Sequence, residues 1–403
     1  MNRWWMIGLG AVLGCRGAAP GSHSATRAMV DSLVPQVEKA AGLQFQKPPR
    51  FELRSKAQVQ HYLKAKLDQE FPAGKVRGIT AVYSLLDLIP DTLDLKGLLL
   101  PLYSEQVVGY YDPDSTALYA VDGATGEALR LVLAHELVHA LQHEQLPLER
   151  MLKNQTNADR VAASQAVLEG HATVAMIGVM MPDRAILTDS SFWQQYRETV
   201  KSSQSSMPVF NRAPLILREG LIFPYLGGAE FIRWWEANNP SPFPPRDRLP
   251  QSTEQILHPD RYRDGDRPVV VQFADSGADL LHDDTMGELE LSVWAAEMRG
   301  GGEVLGDRAL GWGGDRVRAY RTPDGPALVL YTVWDDSTAA RRFAAGPVAR
   351  FRSHRRPGYR TQVDQLLVDG RFAVRIVRAP TGWASWPHLP AARIGATMAE
   401  SPR

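Results

Sequence analysis

Apolar positions recur at helical spacing through most of the chain and give way to strand-like runs only near its end. Ala28–Ala41 reads as one helix, stopped by Gly42, and Phe51–Leu53 as a short strand. Ser55-Lys-Ala-Gln58 is a capping-box sequence opening a helix to about Gln69, with further helices expected over Ile79–Leu88 and Leu95–Glu105. Val107–Tyr111 and Ala117–Val121, joined by Asp112-Pro-Asp-Ser-Thr116, pattern as a hairpin. Glu127–Leu146, bracketed by Gly126 and Pro147, holds strong helix formers with no internal Gly or Pro. Asn157–Met181 is a second long helix whose many small residues allow another helix to come close. Residues 182–208 are polar with no strong period. They read as a loop with a short helix over Ser191–Val200, placed as a lid or rim.

Ala213–Asn238 carries a helical run that Pro224 and the Gly227-Gly228 pair are expected to break or kink. A proline-rich loop follows, and then Ser252 or Thr253 caps a short helix carrying His258. The character changes at Thr285: helices over Met286–Met298 and Asp336–Ala345, and strands over Val317–Tyr320, Ala327–Trp334 and Arg371–Val377. The pattern is α+β. A mainly helical domain with a small edge sheet spans 27–283, a small α+β module spans 284–380, and a Pro-, Ala- and Arg-rich tail, 381–403, is expected to be disordered.

The helix over 127–146 carries the first chemistry. It contains His135-Glu136-Leu-Val-His139, and on a helix His135 and His139 share a face, so both imidazoles reach one ion. Glu136 sits on the flank of that face, placed to act on water rather than on the metal. The surrounding helix is apolar nearly all round, so histidines buried there need a partner, and a metal is one. Core histidines satisfied by hydrogen bonds are the competing account.

Glu169 lies 30 residues after His139 in another apolar stretch, where a carboxylate is rarely left unpaired. His135, His139 and Glu169 would make a His2Glu zinc site with water as fourth ligand. His171 is the rival third ligand. It stands about 200° round the helix from Glu169, so the two cannot both face the metal. Thr173, four residues after Glu169, does share its face as a neighbour able to orient it. The pattern H-E-x-x-H-x-x-G-x-x-H is absent, because Gln142 and Gln145 stand at its Gly and third-His positions; His143 is read as surface or cleft rim.

Composition narrows the setting. The 403 residues suffice for two domains, and 45 basic against 45 acidic residues leave no global field to attract nucleic acid. Residues 341–360 hold seven arginines and no acid, read as a solvated basic face. The one cysteine, Cys15, excludes a disulfide framework within the chain. Residues 1–15 have a basic residue, Arg3, and an apolar run, Trp4–Leu13, too short to span a bilayer. Val12-Leu13-Gly14-Cys15 resembles a bacterial lipobox, which makes Cys15 the site of a lipid anchor to the membrane, with residues 16–26 as a flexible tether. That reading, like an ordinary secretory signal, places the protein outside the cytoplasm, in the bacterial envelope or secreted.

The chain resembles the gluzincin class of zinc metallopeptidases, and within it a group of uncharacterised bacterial peptidase-MA-like proteins. The resemblance rests on Tyr103-Ser-Glu105-Gln106 through Pro113, His135 through Gln142, Leu168-Glu169-Gly170-His171-Ala172-Thr173, Phe223-Pro-Tyr225, and Ser252-Thr-Glu254 through Pro259. It covers roughly residues 50–262, and more weakly the rest. The family often has Asp where His143 and His171 stand here. The resemblance implies a zincin-like domain whose edge strand before the metal helix lines the cleft and pairs with an extended peptide substrate. The reading that follows is a zinc endopeptidase of the envelope, with Zn2+ on His135, His139 and Glu169, Glu136 as general base, and Tyr225 or His258 as oxyanion donor. A zinc hydrolase of a non-peptide bond and a non-catalytic binding lipoprotein on the same scaffold are the alternatives.

Overall fold

The computed structural model describes residues 23–395 except 153–156, 182, 242, 245–247, 276, 278, 303 and 305–310. The expected signal and lipobox, residues 1–15, and most of the expected tether lie outside the described residues. The chain is α+β, as its patterning implies.

Helix α1 (His23–Ala41) buries Val30, Leu33, Val37 and Ala41, a single stripe at helical spacing. Strand β1 (Arg50–Arg54) follows, and then α2 (Lys56–Glu70), which opens on the expected reciprocal capping box between Ser55 and Gln58. Helices α3 (Ala73–Leu85) and α4 (Leu95–Ser104) come next, the latter capped by Asp94. The hairpin is β2 (Gly109–Asp112) and β3 (Ala117–Val121). Its sheet has the order β1-β3-β2, so β2 is an edge strand, as expected.

Helix α5 (Gly126–Gln145) is the metal-motif helix, followed by α6 (Leu148–Leu152) and α7 (Ala158–Met180). Helices α8 (Ser190–Ser205) and α9 (Pro208–Arg212) occupy the region expected to be mostly loop. Helix α10 runs from Leu215 to Asn238 as one element, so of the expected break or kink the break is absent. The glycines serve a different purpose: α7 and α10 cross at Gly170 and Gly228. A Cβ on Gly170 would lie 2.2 Å from the Gly228 carbonyl carbon and oxygen, and one on Gly228 2.0 Å from the Ala166 carbonyl oxygen. The two backbones touch because neither position has a side chain.

After α11 (Thr253–Leu257), capped by Ser252, and α12 (Pro259–Asp264), the chain enters its second sheet. Strands β4 (Val271–Phe273) and β5 (Leu280–Asp284) precede α13 (Gly287–Met298). Then come β6 (Trp312–Tyr320), β7 (Ala327–Trp334), α14 (Ser337–Phe343), α15 (Ala349–Ser353), β8 (Tyr359–Val368), β9 (Arg371–Pro380) and β10 (Ala392–Ile394). Strands β5-β6-β7-β9-β8 form an antiparallel sheet, and β10 pairs with β4.

Two expectations change here. Residues 381–395 are folded, because Trp383 and Ile394 pack in the apolar layer with Tyr331 and Phe273. The boundary at 284 also separates paired strands, since β5 pairs with β6 and β4 with β10 across it. Ala81, Val82 and Leu85 of α3 share one core with Trp294 of α13 and Trp312 and Trp334 of the sheet, so the two halves are built against each other. Polar contacts reinforce this. Asp284 Oδ1 accepts from Ala158 N at 2.8 Å, so the β5 end caps the first turn of α7, and the Asp315 carboxylate accepts from Met286 N and Gly287 N. The C-terminal module thereby holds the N-terminus of the helix that carries Glu169.

Candidate metal centre

The fold brings α5 against α7 and sets the edge strand β2 along α5. Three atoms converge where the two helices face. His135 Nε2 lies 3.0 Å from Glu169 Oε2, His139 Nε2 lies 3.2 Å from the same oxygen, and the two ring nitrogens are 3.1 Å apart. All three side chains are buried. An ion with tetrahedral bonds of about 2.0 Å separates its ligands by about 3.3 Å, so the observed triangle fits such an ion closely. Two imidazoles and a carboxylate are also the donor set that zinc takes.

Glu136 is fully buried beside this triangle. It presents an oxygen within 4.8 Å of a ring nitrogen of each histidine, so His135, Glu136 and His139 together can hold a metal ion. The positions of its two oxygens point to another part. Oε2 accepts from Tyr111 N of β2 at 2.8 Å, and Oε1 is buried with no hydrogen-bond partner. Among the two carboxylates, Glu169 is the one that touches both rings.

Electrostatics follow from burial and these contacts. Burial holds the Glu136 carboxyl well above its ordinary range. Burial lowers His135, whereas for His139 the adjacent Glu169 carboxylate overcomes burial and raises the pKa. Burial also opposes ionisation of Glu169, but His139 beside it and the hydrogen bond to His135 win and hold the carboxyl low. A proton shared among these groups is what a divalent cation would displace, so metal uptake releases it.

Behind the triangle runs a chain of hydrogen bonds that orients the His139 and His171 rings. Gln142 Oε1 can only accept, so His139 Nδ1–H donates to it at 2.8 Å, and Nε2 is the nitrogen turned toward Glu169, where a metal would displace its proton. Gln142 Nε2 donates to Leu168 O at 2.9 Å and to His171 Nδ1 at 3.1 Å. His171 Nε2–H donates to Ala41 O at 3.0 Å. Burial holds His171 down at about 4, consistent with a neutral ring in this chain. His171 is therefore no third ligand but the anchor of the amide that orients His139. Gln142 in this part was missed in the sequence, where it stood as a departure from a glycine pattern and as the end of a stretch carrying the resemblance; its signal was a buried amide three residues past His139.

The remaining candidates separate. The Tyr225 ring lies 5.8 Å from the His135 ring, and both line one cavity. His258 Nε2 lies 2.9 Å from Glu288 Oε1 of α13, so it ties the start of α12 to α13 and is not among the groups converging on the histidines. His143 is half-buried, with Nδ1 2.9 Å from the Tyr111 hydroxyl. Thr173 Oγ1 makes no bond to Glu169; it is buried and has no hydrogen-bond partner.

Comparison with known proteins adds little chemistry. Residues 277–383 match a domain of unknown function, DUF8575. No curated protein matches. Among solved structures, the chain is similar to a protein from Chloroflexus aurantiacus described as a candidate hydrolase with a novel fold. The identity is 18% over 62% of this chain and 93% of that one, with a TM-score of 0.37.

Proposed function

We propose that this chain is a zinc-dependent hydrolase of the peptidase type. The observation that carries the reading is the 3.0–3.2 Å triangle of His135, His139 and Glu169 in a buried site. These three would hold the ion, which supplies a Lewis acid and lowers the pKa of water at the site. Glu136, whose Oε1 has no other partner, takes the proton from the attacking water and returns it to the leaving amine. Tyr225, beside His135, is the donor toward the oxyanion; His258 is occupied by Glu288 and is set aside. The edge strand β2 offers backbone to an extended peptide on the same side as Glu136. The intact base favours turnover over a retired binding scaffold.

Metal content tests the centre without needing a substrate. Purified wild type is expected to hold about one zinc per chain, and His139→Ala none. Gln142→Ala is expected to weaken zinc by roughly ten- to a hundredfold, because His139 loses the acceptor that fixes its tautomer. A wild type that refuses added zinc would reduce the triangle to a buried hydrogen-bond cluster.

For location, we propose an envelope lipoprotein anchored at Cys15. No helix among the described residues is long and apolar enough to cross a membrane. Cells fed labelled palmitate should label the wild type and not Cys15→Ser; equal labelling of both would remove the anchor.

A further inference from the structure

Beside the triangle, α5, α7 and α8 enclose an apolar groove of about 400 Å3. It begins at His135 and Tyr225 and runs along α5 past Val132, Leu131 and Ala128 to Glu127, eight residues or about 12 Å of helix. The opposite walls are Ile177 and Met180 of α7 and Phe192 and Tyr196 of α8. Glu127, at the far end, is the one charged residue among those lining it. Thr173, with its buried hydroxyl lacking a partner, lies at the metal end, one turn after Glu169.

Three properties select the occupant. The groove is as long as about three to four extended residues, which is more than one side chain fills. A peptide strand of that length would bring its own amide groups between helices whose backbone groups are already bonded, with no sheet edge and only the Gln195, Thr199 and Ser203 side chains of one wall, α8, to meet them. A hydrocarbon chain brings no such groups, and methionine walls adapt to its shape. The groove also opens directly onto the proposed ligand His135, so its occupant belongs to the molecule being cut. We infer that the substrate carries a long unbranched acyl or alkyl chain, which lies in this groove with its polar end at Thr173 and the metal site. The inference rests on the hydrolase reading and names its substrate class: an acylated molecule.

The test is a chain-length series of alkanohydroxamates, from acetohydroxamate to dodecanohydroxamate, titrated into the zinc-loaded full-length protein. Each methylene that enters the groove should tighten binding by about fourfold, the equivalent of about 0.8 kcal/mol. The gain should continue to about ten carbons. Ala128→Trp, which plugs the groove roughly 10 Å from His135, should flatten the series beyond the plug. Its melting curve and zinc content report on its fold. A plateau at four to six carbons, a gradient that survives Ala128→Trp, or tighter binding of a phenylalanine hydroxamate than of the dodecyl compound would overturn the inference. A parallel series of linear alkanols needs no metal. If no hydroxamate binds but dodecanol does, and Ala128→Trp abolishes it, the zinc reading fails and the chain site stands; if neither series shows a length gradient, the chain site falls. Competition by an N-dodecanoyl dipeptide against a monododecanoyl glycerol separates an acylated peptide from a lipid as the source.

Discussion

Glu136→Gln is expected to lower turnover by about a hundred- to ten-thousandfold while leaving zinc bound, because it removes the proton acceptor and little else. The side chain is fully buried, and its two oxygens have different surroundings. Oε2 accepts from Tyr111 N, a contact that a glutamine carbonyl oxygen can keep, so the rotamer should persist. Oε1 has no partner, and the amide that replaces it cannot take a proton from water. His135, His139 and Glu169 are untouched, so metal content should stay near one per chain. The paired measurement is zinc by atomic spectroscopy and turnover on any peptide or acylated substrate the wild type cleaves. Loss of zinc together with activity would make Glu136 a ligand and contradict the division of labour; full activity in the variant would remove it as base. The same carboxyl sets an acid limb. Burial keeps it protonated to higher pH than an ordinary glutamate, and protons also compete with metal for the histidines, so activity should fall as pH falls.

Much of this arrangement was legible in the sequence, and what escaped has physical causes. Helix α5 is bounded by Gly126 and Pro147, and its histidines need only helical spacing to share a face, so the pair was readable from local rules. Glu169 was readable as a carboxylate that an apolar helix would not bury alone. The Gln142–His171 chain was not, because it depends on the distance between α5 and α7, which no local pattern encodes. Strand β8 was missed for a different reason. Arg360, Gln362 and Asp364 give it a polar, half-exposed character, and it is held as a strand mainly by register with β9. The folded segment 381–395 carries turn-like composition, and its order comes from Trp383 packing against the sheet and from β10 pairing with β4. The paired glycines of α10 were recognised as special but given the wrong cause: a helix breaker and a helix-crossing point look alike in one sequence.

That difference is measurable, and it gives the largest stability effect we expect. Gly228→Ala should destabilise the protein by about 3 kcal/mol, at the upper end of overpacking costs or beyond them. The new Cβ would meet the Ala166 carbonyl oxygen at 2.0 Å. That atom belongs to helical backbone, so it cannot swing aside as a side-chain tip would, and α7 and α10 must part. Parting them opens the layer that buries Phe223, Ala229 and Phe231 against Ala166 and Val167. It also moves α7 one turn from Glu169, so zinc affinity should fall along with stability. Gly220→Ala on the same helix is the control. Gly220 is exposed, and nothing lies within 4 Å of its added Cβ, so there the change should stabilise by about 0.5–1 kcal/mol through helix propensity alone. Urea unfolding of the two variants, read against wild type, therefore sets one substitution against itself at two points eight residues apart. Opposite signs would show that the glycine is there for the crossing. Equal and small effects at both would mean that α7 and α10 are not in backbone contact, and the placement of Glu169 against His135 and His139 would have to be redrawn.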